Sequence, residues 1–472
     1  MEKTRKIVIV GGGITGLSAA YHLQKQSKKR QIPIDLTVIE ATHRMGGAIQ
    51  TVRKDGFVIE RGPDSFLSLE RSVDGLAESL GIQDRLLTST PGQTYVVVED
   101  QLHKIPSDFI LGVPTAYRSF LTADVISWSG KVRAAGDILL PKASGTGDIG
   151  LGKFMRRRFG NELVENLIEP LLSGIYAGDI DKISLQAAFP LYYEVEREHR
   201  SLILGLKKLH RENHPSAVSI ADVAGRFQSF QNGLETLVKA LEADLADCDL
   251  LKGVKVQSFK RAGDGLILSL NNDSTVIADE VVFALPHSKA QTIFKPHGLL
   301  EDLKEMPATS VATVVMAFPE EALDLPAEGS GFSVSRNSDC VITACTWLHK
   351  KWPFMAPPGK ALLKCNIGRV GDEAVVDLSD KEIEKIVLTD LKKLISIEGE
   401  PLFTIVSRFK ETMPQYFVGH HERISKAQGA VEEAFPMIQL IGCSYRGSSI
   451  PECIAQGEKA AERIFNRWEA SV

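Results

Sequence analysis

Four consecutive β-branched residues, Ile7, Val8, Ile9 and Val10, predict a first strand buried on both faces. Leu17-Ser18-Ala19-Ala20-Tyr21-His22-Leu23 then reads as a helix with small residues at its start. A second apolar run over 35–39 predicts a companion strand that ends in Glu40. Residues 49–53 and 57–61 flank Lys54-Asp55-Gly56, and the Asp-Gly pair predicts a hairpin. From 76 to 209 the pattern is mainly helical, with Phe154, Phe159, Leu163, Leu167, Leu171 and Leu172 at roughly helical spacing. Strands return around 253–256, at 266–270 and as one run over 276–284, separated by the turn signals Asp264-Gly265 and Asn271-Asn272-Asp273. Residues 290–430 mix strands and helices. The last unit is a buried strand over 438–441, a stop at Gly442, a loop through Ile450, and a helix over 451–465. Pro451 suits that helix's first turn, where its missing N–H costs no hydrogen bond.

Composition narrows the function classes. The 472 residues carry 55 Lys plus Arg against 60 Asp plus Glu, a net charge of −5, which argues against a nucleic-acid binder. An apolar content of 43% with 24% charged residues is globular, and the length suits about three structural units of roughly 150 residues. The six cysteines form no C-x-x-C, so neither a disulfide framework nor a zinc ribbon is expected, and a reducing compartment is. Lys3, Arg5 and Lys6 precede an apolar run too short for a signal core, and no stretch reaches the ~18 apolar residues of a membrane span. A soluble, cytoplasmic chain is the expectation.

The chemistry begins at Gly11-Gly12-Gly13-Ile14-Thr15-Gly16, a G-x-G-x-x-G between strand and helix. Gly11 permits the tight turn, Gly13 lets a pyrophosphate approach the backbone, and Gly16 lets helix and strand pack closely. The helix N-terminus offers unpaired N–H groups and partial positive charge. Glu40, at the end of the second strand, can accept both ribose hydroxyl hydrogens. An ADP-containing dinucleotide is therefore expected.

Glu40-Ala41-Thr42-His43-Arg44-Met45-Gly46-Gly47 resembles the E-A-x-x-R-x-G-G extension of FAD proteins in the amine oxidase and porphyrinogen oxidase superfamily. Arg44 can neutralise a phosphate, while Gly46 and Gly47 let the chain pass close to the cofactor; Ala48 stands where many relatives carry a larger residue. Gly62-Pro63-Asp64-Ser65 matches the family segment beside the isoalloxazine ring. The resemblance further implies an adenine contact at the Val256 backbone, and flavin contacts at Phe409 and at Ser448-Ser449-Ile450, where a helix start faces the ring. The fold it implies is α/β: a Rossmann-like FAD-binding domain built from 1–86, 206–290 and 430–472, a helical pocket domain facing the membrane side over 87–205, and a mixed α+β substrate domain over 291–429.

Residues 167–179 (Leu-Ile-Glu-Pro-Leu-Leu-Ser-Gly-Ile-Tyr-Ala-Gly-Asp), 413–420, 336–339 and 351–353 resemble the oxygen-dependent porphyrinogen oxidases, and most nearly the coproporphyrinogen III oxidases of Gram-positive bacteria. The likeness extends over nearly the whole chain. It implies an oxidoreductase acting on CH–CH groups in haem biosynthesis, with coproporphyrinogen III and molecular oxygen as substrates and hydrogen peroxide as by-product. Gly174 and Ile175 are candidates to line the substrate pocket, the alternative being that this glycine between two apolar runs only ends a helix. It also implies peripheral contact with the inner membrane face and transient contact with other haem-pathway enzymes. No side-chain base is demanded, since the flavin takes the hydride and pyrrole protons can leave to water. Protoporphyrinogen IX is the rival substrate, and a flavin-free escort of the same fold is the rival class. Elsewhere, His210-Arg211-Glu212-Asn213-His214 reads as a polar loop and not as H-E-x-x-H, and no metal site is expected. Gly442-Cys443-Ser444-Tyr445-Arg446 is not a hydrolase elbow. Cys340 and Cys345 read as buried thiols, and Arg156-Arg157-Arg158 as a solvated helix face.

Overall fold

The computed structural model describes residues 4–68, 72–143, 145 and 147–470, with the side chains of 173–175 outside that set. Its first layer is a five-stranded parallel sheet in the order Asp249–Lys252, β2 (Ile34–Glu40), β1 (Arg5–Val10), Glu280–Phe283 and Ile438–Leu440. The β-branched run earns β1 its central place. Ile7 and Ile9 enter one core with helix α1 (Ile14–Arg30) and the C-terminal helix Ile450–Glu469, while Val8 and Val10 enter another on the opposite face. The run read as one strand over 276–284 is two strands in two sheets. Thr275–Ala278 belongs to a three-stranded antiparallel sheet and Glu280–Phe283 to the parallel one. They break at Asp279, whose N–H donates to the Lys6 carbonyl and whose carboxylate accepts the Lys6 N–H.

A hairpin of β3 (Thr51–Lys54) and β4 (Phe57–Glu60) leads from this layer to a seven-stranded sheet. There Ala308–Pro319 lies between Phe403–Pro414 and Lys360–Ile367, followed by Ile342–Trp347, Gly329–Val334, Gln93–Val98 and Gln101–Lys104. Strand alternation divides its side chains. Val314, Met316 and Phe318 join the core that includes Val387 and Leu391 of the helix Asp380–Leu394, while Val315 and Ala317 join Phe57 and Ile59 of the hairpin.

Within 76–209 the helices are largely as read, but residues 93–104 are strands at the edge of the large sheet. Tyr95 and Val97 face one core, Val96 and Val98 the helical core, so a uniformly apolar run serves two units at once. The arginine cluster is also corrected. Arg158 is fully buried, bonded to Asp137 at 3.2 Å and to Glu196, while Arg157 reaches Glu196 and Arg156 pairs with Asp181. His210 lies in the last turn of the helix Leu202–Arg211 rather than in a loop; its Nδ1 is 2.9 Å from the Ala217 carbonyl oxygen. Cys345 is buried on its strand and Cys340 just before it. Ser144 and Thr146 of the 144–150 connector lie outside the described residues.

Candidate active site

The loop between β1 and α1 separates the roles of its glycines. A Cβ on Gly11, whose φ is +112°, would lie 2.4 Å from the Ala284 carbonyl oxygen, and one on Gly16 would lie 1.9 Å from that of Gly11. A Cβ on Gly13 would meet nothing within 4 Å. Gly13 is the N-cap of α1, no side chain caps that helix, and no acidic residue occupies its first turn. Free helix-start N–H groups beside open space are chemically a phosphate cradle. Ile14 and Thr15 are buried behind it.

Glu40 closes the end of β2. One carboxylate oxygen accepts the Gly12 N–H at 2.8 Å and the other the Thr42 N–H at 2.8 Å, which leaves further lone pairs for hydroxyl donors. The chain after Glu40 and Ala41 folds back onto the glycine loop. The Gly46 N–H donates to the Gly12 carbonyl at 2.8 Å, and a Cβ on Gly47 would lie 3.2 Å from the Gly13 Cα. Arg44, read from sequence as a phosphate partner, donates to the carbonyls of Met45, Gly47 and Ile49 and so braces its own turn. Residues 253–254 bond alongside, Val254 N–H to the Glu40 carbonyl at 3.0 Å and Gly253 N–H to that of Thr42 at 2.8 Å. Val256 begins the next strand, two residues on.

Beyond the cradle, Ala48, Gly62 and Phe409 converge. A Cβ on Gly62 would lie 2.0 Å from the Ala48 carbonyl oxygen and 3.6 Å from Cζ of Phe409. The hairpin end is tied to the large sheet: the Thr313 hydroxyl donates to the Arg61 carbonyl at 2.6 Å, and Arg61 Nε donates to Ser407 Oγ at 2.8 Å. After Pro63, Asp64 sits between two lysines, with Lys351 Nζ 2.9 Å and Lys364 Nζ 3.5 Å from its carboxylate, and Trp352 Nε1 also donates to it. Burial alone would raise the Asp64 carboxyl, but the two ammonium groups outweigh it and hold the group well below the usual carboxylate range. Lys351 also donates to Ser65 Oγ at 2.9 Å. Buried Glu60 behind this loop is pushed up to about 7, chiefly by loss of solvent. Sequence reading missed Glu60 and Lys364; a lysine inside the apolar run Leu362-Leu363-Lys364-Cys365 was the available signal.

The C-terminal loop forms the other wall. Ser449 caps the helix Ile450–Glu469, its Oγ accepting the Glu452 N–H, and Ile450 is buried. Ser448 approaches Tyr176, the last residue of the helix Glu169–Tyr176; burial pushes the Tyr176 hydroxyl well above the ordinary tyrosine range. The helix that carries Gly174 and Ile175 therefore ends against the Ser448 loop, while the side-chain positions of those two residues lie outside the described set. Two groups of expected positions are thus brought together: the glycine loop with Glu40, Gly46 and Gly47, and Gly62 with Ala48 and Phe409.

The model of the flavin-containing amine oxidoreductases matches residues 14–465. The coproporphyrinogen III oxidase of Bacillus subtilis (strain 168) is 47% identical over 97% of each chain. That of Staphylococcus aureus (strain NCTC 8325 / PS 47) is 40% identical over 98% of this chain and 99% of its own. Among solved structures, a putative protoporphyrinogen oxidase from Exiguobacterium sp. 255-15 superposes with a TM-score of 0.88 at 35% identity, covering 98% of this chain and 99% of that one.

Proposed function

This chain belongs to the flavin-containing amine oxidoreductase family, and on that basis we propose that it oxidises coproporphyrinogen III to coproporphyrin III in haem biosynthesis, with oxygen as acceptor and hydrogen peroxide as by-product. It is an oxidoreductase, and FAD is its cofactor. The observation that carries the reading is the open, uncapped cradle at Gly13, joined to near-full-length likeness to enzymes named for this substrate. When bound, the isoalloxazine supplies the hydride acceptor for each two-electron round and returns its electrons to oxygen.

The chain's share is placement. The helix start at Gly13 takes the pyrophosphate on backbone N–H groups, with the Gly11 and Gly12 N–H groups held by Ile39 and Glu40; Glu40 takes ribose hydroxyls, and the Val256 backbone takes the adenine. Gly46 and Gly47, packed on the Gly12–Gly13 loop, would let the chain pass close to the pyrophosphate, while Ala48 and Phe409 would flank the ring and the 62–65 loop would approach it where Gly62 has no side chain. Ser448, Ser449 and Ile450 present a helix start to the ring from the other wall, and the helix bearing Gly174 and Ile175 covers the substrate. No side chain is asked to remove the pyrrole proton, which leaves to water.

Anaerobic mixing of the yellow protein with each porphyrinogen tests the substrate. Coproporphyrinogen III should bleach the flavin faster; faster bleaching by protoporphyrinogen IX overturns the choice, and a colourless protein would leave only the escort reading. Among the described residues no helix is long and apolar enough to cross a membrane. Peripheral contact is supported instead by exposed Tyr117, Leu121, Trp128, Val132 and Leu139 on the helical unit, with Lys131 over the Trp128 ring and Lys207 over that of Tyr117.

A further inference from the structure

Two lysines meet one carboxylate behind the loop 62–65. Lys364 projects from the strand Lys360–Ile367 and is only 6% exposed, so its ammonium group requires partners. It donates to the Gly62 carbonyl and lies 3.5 Å from Asp64. Lys351, from the segment after the neighbouring strand Ile342–Trp347, is 2.9 Å from Asp64 and donates to Ser65. Asp64 is neutralised by one of these lysines, so the second leaves a surplus positive charge. The next carboxyl group, Glu60, is protonated below a pH of about 7 and accepts hydrogen bonds from the Leu234 N–H and the Thr51 hydroxyl. A surplus charge kept out of water is costly unless an anion offsets it. Both lysines come from the large sheet's side, whereas the loop they hold extends from the hairpin, so the contact fastens the two units at the proposed flavin face.

We propose that Lys364 and Lys351 are positioning residues for the flavin: they clamp the 62–65 loop against the ring and place behind it the positive charge that favours the reduced, negatively charged form. The inference rests on the cofactor placement proposed above. Lys364 acts through the Gly62 carbonyl and Lys351 through Asp64 and Ser65, and neither touches substrate.

The test is a spectroelectrochemical titration of the FAD-loaded protein with no porphyrinogen present, for wild type, Lys364→Met, Lys364→Arg and Lys351→Met. Lys364→Met should disfavour the reduced form about tenfold, a shift of ~30 mV to more negative potential for a two-electron couple. Lys364→Arg should recover most of that shift, and Lys351→Met should move in the same direction as Lys364→Met. A purely structural role would lower thermal stability and leave the potential where it was. A wild-type potential in flavin-loaded Lys364→Met overturns the proposal; should that variant fail to fold, a wild-type potential in Lys351→Met overturns it equally. Because no porphyrinogen enters the cell, a wrong substrate assignment leaves this result intact, whereas a wild-type protein holding no FAD would overturn both.

Discussion

Gly13 and Gly16 stand three residues apart in the same loop, yet replacing them should have opposite consequences. Gly13 has extended backbone angles and open space where a side chain would point. Gly13→Val should therefore cost no more than about 1 kcal/mol, through a poorer N-cap, in denaturant unfolding of the apoprotein, while losing flavin on gel filtration. Gly16→Val drives its side chain into the Gly11 carbonyl and should cost about 1–3 kcal/mol or more whether or not flavin is present. Glu60 gives a pH-dependent outcome. Its folded value of about 7 lies above the 4.5 of the free group, so its protonated form favours the fold below that lower value, and the benefit fades as pH rises towards 7. The loss amounts to roughly 3 kcal/mol by linkage, at ~1.4 kcal/mol per unit. Glu60→Gln keeps an acceptor for the Leu234 N–H, so its melting temperature relative to wild type should rise between pH 5 and pH 8.

At the scale of elements, the parallel layer was legible because both faces of β1 are apolar and a glycine turn separates it from the helix that follows. The arginine triplet was not. Helical periodicity places three successive basic residues on a broad arc, but only the approach of Asp137 and Glu196 turns Arg158 inward. Arg158→Met removes the cation and leaves two buried carboxylates, Asp137 also bonded to Ser201 and the Ile203 N–H. Urea unfolding should show a loss of about 3–5 kcal/mol. The strands at 93–104 were missed within the helical reading of 76–209 for a related reason. Tyr95-Val96-Val97-Val98 has no polar alternation because both sides are covered, and its turn is Glu99-Asp100 at positive φ rather than an Asn-Gly signal.

At the scale of the molecule, Tyr117, Leu121, Trp128, Val132 and Leu139 are the exposed apolar side chains that the proposed peripheral attachment would use. Burying one such side chain contributes about 1.5–3 kcal/mol. Trp128→Ser combined with Leu139→Ser should therefore weaken co-sedimentation with anionic vesicles by roughly tenfold or more, with flavin content unchanged. Equal sedimentation of variant and wild type would remove that face from the account.

The uncapped helix start after the glycine loop, the carboxylate at the end of the second strand and the glycine-rich crossings were written in the chain, because each depends on residues close in sequence whose backbone freedom or charge has a local consequence. The meeting of Gly62 with Ala48 and Phe409, the lysine pair around Asp64, and the burial of Glu60 and Arg158 belong to tertiary structure alone. Burial and charge balance are set by neighbours tens to hundreds of residues away, and no local pattern of side chains records which of them will arrive.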